Sequence, residues 1–348
     1  MATAPIPADQ LDGLDLPEGW HVVSRAPVAP DATGGRFSVG YIVEGPGYPA
    51  AFLKAMDYSG AFATPDPAPV LQALTQAYIY ERDLLRQCRQ HRMDRVVTAI
   101  TDGAVTVPGF GVFGVVQYLV FELASHGDVR SQSDISKRYD LAFALRSLHN
   151  IAIGVKQLHT QRIAHQDLKP SNVLVFDDGI SKIADLGRAS SSTAPARHDG
   201  LPIAGDAGYA PPELLYRYAP ADWGTRRLGC DVYLTGSMIA FLFSGAGMTA
   251  NIASHIPPAF HWNNWNGTYA DVMPYLRDAF DRALATIEPQ IPDPARTKLL
   301  PALRQLCEPD PALRGHPLDR RFNQHSMERY VSLFNLLASD AELRMARR

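Results

Sequence analysis

The chain has 348 residues, of which 46% are hydrophobic and 20% charged, and a formal net charge of −3. That length and apolar content allow one large or two medium domains with real cores, and exclude a disordered chain. The near-neutral balance provides no global basic field, so neither nucleic acid nor an anionic membrane is an expected partner.

Residues 1–19 hold prolines and acids without periodicity and are expected to form a flexible lead. Met1-Ala2-Thr3-Ala4-Pro5 has no basic segment followed by an apolar one, so no secretory signal is expected. Cys88, Cys230 and Cys307 are far apart and lack zinc-site spacing, which suits a reducing compartment; the expected location is cytoplasmic. Short strands are predicted at 21–28, 37–43 and 50–55, separated by Gly34-Gly35 and Gly45-Pro46-Gly47. Pro65, Pro67 and Pro69 then lead into a long helix, with Leu71, Leu74, Tyr78, Glu81, Leu85 and Cys88 at helical spacing. Two further strands are predicted at 96–100 and 115–123.

After Ser125-His126-Gly127-Asp128 the pattern turns helical. Leu141, Leu145, Leu148, Ile151, Val155 and Leu158 form one 3.6-period stripe. The most apolar window, 232–253, contains Thr235, Ser237, Ser244 and Asn251, and reads as a buried helix rather than a membrane span. Near the end, Tyr330, Phe334 and Leu337 predict a helix docked by its apolar side with its charges solvated.

The chemistry concentrates in His165-Gln166-Asp167-Leu168-Lys169-Pro170-Ser171-Asn172, followed by the apolar run Val173-Leu174 and, thirteen residues past Asn172, by Asp185-Leu186-Gly187. A carboxylate able to accept a hydroxyl proton, an ammonium and two metal-facing oxygens are what phosphoryl transfer from a metal-bound nucleotide needs. The stretch resembles the catalytic loop of eukaryotic-type (Hanks-type) serine/threonine protein kinases, and Asp185 begins what looks like their metal-binding Asp-Phe-Gly motif. Gly205-Asp206-Ala207-Gly208-Tyr209-Ala210-Pro211-Pro212-Glu213 resembles the end of their activation segment, and Asp231-Val232-Tyr233 the start of their central helix. Cys307-Glu308-Pro309-Asp310-Pro311-Ala312-Leu313-Arg314 resembles the late segment whose arginine pairs with the activation-segment glutamate, here Glu213.

The resemblance implies an α+β, bilobal fold. A small β-rich N-lobe with one long helix would span 20–123, a larger, mainly helical C-lobe 124–318, and a C-terminal helical extension 319–348. It implies ATP and Mg²⁺, and a protein as phosphate acceptor. Asp167 would orient the acceptor hydroxyl and Lys169 would offset charge on the transferring group. Asn172 and Asp185 would hold metal. Lys54, the only lysine in the first 136 residues, would grip phosphates and pair with Glu81. Gly34, Gly35, Phe52, Glu122, Leu123, Asp128 and Leu174 would complete the nucleotide site.

Several positions depart from the family pattern. Gly34-Gly35 is a thin version of the three-glycine loop that covers phosphates. Phe52 stands two residues before Lys54, on the same strand face, where kinases place alanine. A phenylalanine there either stacks on the base or narrows the pocket, and the sequence leaves both open. Gln166 replaces the arginine that grips an activation-segment phosphate, which implies activity without that modification. The run Ser190-Ser191-Ser192-Thr193 reads as a flexible loop. Asp206 stands where serine/threonine kinases carry threonine, so a carboxylate beside Lys169 is expected to pair with it. The rival readings are a pseudokinase that binds nucleotide as a scaffold, and a small-molecule phosphotransferase. A regulatory protein partner is compatible with the resemblance; the oligomeric state is not legible.

Overall fold

Gly45-Pro46-Gly47 separates two strand-forming runs, and the computed structural model folds residues 38–56 into an antiparallel hairpin whose side chains alternate between buried and more exposed. The structure describes residues 6–27, 38–133, 140–194 and 196–347. The chain divides into two compact units, Met1–Ser125 and His126–Arg348. In the first, the strands are β1 (Asp15–Leu16), β2 (Trp20–Arg25), β3 (Ser38–Gly45), β4 (Tyr48–Met56), β5 (Ala99–Thr106) and β6 (Val115–Glu122). They form one antiparallel sheet in the order β1-β2-β3-β4-β6-β5. Val22, Tyr41, Val43, Leu53, Val116 and Val120 fill its core. A short helix, α1 (Ser59–Phe62), precedes the long α2 (Pro67–Gln90), which starts on a proline whose missing N–H costs the first turn nothing. The Arg86 guanidinium reaches Asp102 on β5 at 2.9 Å.

Two expectations for this unit are corrected. Residues 6–19 are not a loose lead: Ala8, Leu11 and Leu16 are buried, and the Tyr41 hydroxyl donates to the Ala8 carbonyl at 2.7 Å. The apolar residues are too few and too irregular for a periodic signal, yet they suffice to cover the sheet core. The strand expected at 96–100 instead runs from Ala99 to Thr106. Its Gly103 looks like a breaker, but a Cβ there would lie 2.5 Å from the Tyr118 hydroxyl, so the bare backbone makes room for that ring.

The second unit contains α3 (Val129–Gln132), α4 (Leu141–Thr160), β7 (Ile163–Ala164), β8 (Val173–Val175), β9 (Ser181–Ile183) and β10 (Ser190–Ser191). The helices α5 (Pro212–Leu215), α6 (Gly229–Ser244), α7 (Met248–His255), α8 (Tyr269–Ile287), α9 (Arg296–Leu306) and α10 (Glu328–Ala346) follow. Asp140 caps α4 by accepting the Phe143 N–H at 3.0 Å. The α4 stripe of Leu145, Leu148, Ile151, Val155 and Leu158 is buried, each side chain contributing about 1.5–3 kcal/mol. Almost every residue of α6 is buried in the same core. Among the described residues no single helix is long and apolar enough to cross a membrane.

The closing helix α10 packs along α4 through Tyr330, Phe334, Leu337 and Ala338. Its Glu342 takes a bidentate bond from Arg146, 2.7 Å on each arm. The run Ser190-Ser191 is not a flexible loop. It is the strand β10, buried and paired with β7, because two short hydroxyls fit where a long polar side chain would not.

Candidate active site

In the second unit the site is built from the inside outward, beginning with Asp231 in the first turn of α6. Its wholly buried carboxylate accepts the backbone N–H groups of His165 and Gln166, each at 2.7 Å, and lies 3.0 Å from His159 Nε2. One anion thus fixes two successive peptide units of the loop that follows β7. His165 donates from Nε2 to the Ala184 carbonyl at 2.9 Å, while Nδ1 accepts the Asp167 N–H at 3.2 Å. The backbone of Gln166 is left-handed, φ 63°, a conformation that costs a non-glycine residue about 1–2 kcal/mol and is held here by those bonds.

On this frame three donors hold the Asp167 carboxylate, two on one oxygen and one on the other. Oδ1 accepts the Asp206 N–H at 2.7 Å; Oδ2 accepts the Asn172 amide at 3.0 Å and lies 3.2 Å from Lys169 Nζ. Asp206 Oδ2 stands 3.3 Å from the same ammonium. Gly205 makes the approach possible. A Cβ there would sit 2.3 Å from the Gln166 carbonyl oxygen and 2.7 Å from Asp167 Oδ1.

The Asn172 amide also donates to the Asp167 carbonyl at 2.8 Å, which turns its NH₂ toward the loop and leaves Oδ1 as the outward acceptor. The Asn172 carbonyl accepts the Ala184 N–H at 2.9 Å, so Asp185 begins directly after a residue bonded to Asn172. Asp185 is left-handed as well, φ 63°, with Oδ1 accepting the Gly187 N–H at 3.3 Å. Both side chains present hard oxygens, the donor type Mg²⁺ takes, and phosphate oxygens and water would complete its shell. Leu174, on β8, bridges to the backbone of Asp128, whose carboxylate caps α3 by accepting the Ser131 N–H at 2.7 Å.

In the first unit, Lys54 lies on β4 between Gly40 of β3 and Leu119 of β6. Its ammonium donates to both oxygens of Glu81 on α2, at 2.8 and 3.1 Å. Phe52, two residues back, lays its ring on Gly40, where a Cβ would come within 2.8 Å of it. Glu122 ends β6 with its side chain turned to the Thr98 N–H at 2.7 Å, and Leu123 follows, partly buried. Gly34 and Gly35 lie outside the described residues.

Two scaffold features are also in place. Arg314 and Glu213 form a fully buried bidentate pair, 2.6 and 2.7 Å. Burial opposes the guanidinium's charge, but Glu213 more than offsets that and raises its pKa. A further group escaped the sequence reading. Arg227 is buried, donates to Gln166 Oε1 and, at 2.6 Å, to the Asp199 carbonyl. The one available signal was an arginine standing four residues before Asp231, at the edge of the most apolar stretch.

A carboxylate, an ammonium and a carboxamide thus meet on a strained loop beside an aspartate-led turn. The family model for the protein kinase domain matches residues 71–310. The chain belongs to the protein kinase family. Among similar proteins are an Aurora kinase of Debaryomyces hansenii, 32% identical over 98 residues, covering 28% of this chain and 24% of the relative. CBL-interacting protein kinase 26 of Oryza sativa subsp. japonica is 28% identical over 200 residues, 57% of this chain and 34% of its own. Serine/threonine-protein kinase DCLK1 of Rattus norvegicus is 31% identical over 132 residues, 37% and 28% respectively. The matched stretches thus span about a quarter to a third of these relatives' length. Lys54 and Phe52 precede the family match; Glu81 and the whole loop from His165 to Asp206 lie inside it.

Proposed function

We propose that this chain transfers the γ-phosphoryl group of ATP to serine or threonine hydroxyls of protein substrates, with Mg²⁺ as the metal. The observation that carries the reading is the arrangement around Asp167, whose carboxylate is fixed by Asp206, Asn172 and Lys169 at once. Asp167 orients the acceptor hydroxyl, a task of geometry more than of basicity. Lys169 faces the transferring group and offsets its developing charge. Lys54, held by Glu81, grips the nucleotide phosphates, and Asn172 and Asp185 hold the metal by their oxygens. Bound there, Mg²⁺ neutralises charge on the phosphates.

In this reading Phe52 and the backbone of Glu122 and Leu123 in the first unit serve the nucleotide, as do Asp128 and Leu174 in the second. The neutral Gln166 supports a catalytic loop that works without a phosphate on the activation segment. The regulatory names among the relatives, such as the CBL-interacting kinase, support a protein partner. The buried thiols of Cys88, Cys230 and Cys307, none of them in a disulfide, support a cytoplasmic setting.

The test is transfer of radiolabel from ATP to casein by the wild type and by Asp167→Asn. Labelling should fall about a hundredfold or more in the variant; equal labelling would remove Asp167 from its role. Unfolding temperature with Mg²⁺-ATP tests nucleotide binding by itself, and a rise in it without any labelling would favour the nucleotide-binding scaffold over the enzyme. At about a hundred times its dissociation constant, ATP adds about 2.7 kcal/mol.

A further inference from the structure

Arg227 precedes α6 on a π-turn, Gly224–Leu228, and its guanidinium is among the most deeply buried charges in the second unit. Nothing in the phosphoryl-transfer chemistry described above uses it. One arm donates to the side-chain oxygen of Gln166, the residue directly before Asp167. The other donates to the Asp199 carbonyl at 2.6 Å and stands 3.4 Å from Asp199 Oδ1. Gln166 is gripped at both ends, because its amide donates to the Arg188 carbonyl at 3.1 Å.

Asp199 is itself a hub. Its Oδ1 accepts the Ser190 hydroxyl at 2.6 Å and its Oδ2 the Ala196 N–H at 2.7 Å. Trp223, just before the π-turn, adds a bond from its indole N–H to Ser190 at 3.4 Å, and Arg162 stacks over its ring. His198 donates to the Ala189 carbonyl at 2.9 Å. The segment from Arg188 to Gly200 is therefore tied to the catalytic loop through one cation and one carboxylate.

A buried arginine keeps its charge and needs an anion close by, and a carboxylate or a phosphate monoester meets that need equally. Here the anion is encoded in the chain. We propose that Arg227 is a positioning residue that holds the 188–206 segment and, through Gln166, the Asp167 loop in the transfer-competent arrangement. Asp199 serves as its permanent counter-anion, so no phosphate has to be added to the segment. This rests on the protein kinase reading and deepens it by naming what replaces the modification.

The experiment compares phosphatase-treated wild type with Arg227→Met, Arg227→Lys and Asp199→Asn. The variant Asp199→Asn retains a side-chain acceptor and is the mild case should Arg227→Met fail to fold. Two readouts are taken: steady-state kinetics with casein, and amide hydrogen exchange over 189–201, which needs no activity. Phosphatase-treated wild type should retain kcat within about twofold, since its anion is built in. Both Asp199→Asn and Arg227→Met should lower kcat about tenfold or more with the KM for ATP nearly unchanged, and Arg227→Lys should fall between.

Exchange over 189–201 should quicken about tenfold in the same variants while α6 stays protected. Wild-type exchange and kcat in Asp199→Asn would overturn the proposal, and so would loss of wild-type activity on phosphatase treatment. If the wild type labels no protein at all, the kinase reading fails separately. The exchange data then still decide whether Arg227 and Asp199 clamp the segment.

Discussion

Lys169 is shared between two carboxylates, 3.2 Å from Asp167 and 3.3 Å from Asp206, and Asp206 also donates its backbone N–H to Asp167. The backbone bond survives any substitution at 206 except proline, so side-chain variants remove only the ionic contact and the bond that Oδ1 accepts from the Gly208 N–H at 2.9 Å. Because Asp206 is partly exposed, that contact is weakened by solvent and adds less than about 1 kcal/mol to stability. Its effect on rate should be larger, since it fixes where the ammonium points. We expect Asp206→Ala to lower kcat by about three- to tenfold with little change in unfolding temperature. The measurement is steady-state kinetics paired with thermal unfolding.

Gly205 offers a steric counterpart. Replacing it with alanine forces a Cβ into the space of the Gln166 carbonyl and the Asp167 carboxylate, both backed by bonds that resist displacement. Gly205→Ala should destabilise the second unit by about 1–3 kcal/mol and cost far more activity than Asp206→Ala. Urea midpoints and kcat measured on the same preparations check both parts.

The Glu213–Arg314 pair is wholly buried and acts on stability. Arg314 also donates to the Gly229 and Glu308 carbonyls, at 3.2 and 3.0 Å, and lies over the Tyr233 ring. Glu213→Ala leaves that guanidinium charged and uncompensated in the interior, and should cost about 3–5 kcal/mol. The apolar double replacement Glu213→Leu with Arg314→Met should be milder than the single change. Denaturant unfolding of the three proteins decides.

Acid should weaken the second unit through His325. Burial first, then the nearby charges of His159 and Arg314, push its pKa down to about 4. The folded form therefore resists protonation while the unfolded chain takes its proton near the ordinary 6.5. The stabilisation is complete above about pH 6.5, declines as pH falls, and is gone below about 4, a loss of at most about 3 kcal/mol. His316 and His198 are shifted the same way, each first by burial, and steepen the slope. His325→Asn should flatten the curve of urea midpoint against pH between 4 and 6.5; an unchanged slope would remove His325 from the account.

Legibility in the sequence followed the range of the interactions. The stripe on α4 is a local periodicity, and β3 and β4 are short runs set off by the turn residues Gly45-Pro46-Gly47; all three elements overlap the spans expected of them. Lys54 with Glu81, and Arg314 with Glu213, were legible although 27 and 101 residues apart, because the motif order of a known family carries them. The burial of residues 6–16 was not, since Ala8, Leu11 and Leu16 gain meaning only against Tyr41 and the sheet. Arg227 with Asp199 was hidden for the opposite reason. An arginine and an aspartate in polar surroundings read as solvated charges, and only the fold brings the buried guanidinium to the partly buried carboxylate.

The docking of α10 bears on how this protein should be handled at the bench. A recombinant fragment stopped at residue 310, where the family match ends, would forfeit Arg314 and strand Glu213 without its cation. It would also strip Tyr330, Phe334 and Leu337 from α4, wetting a greasy flank of the helix that feeds the catalytic loop. Such a fragment should clump rather than catalyse, and a well-behaved version should run at least through Glu342, the last residue of α10 that holds α4.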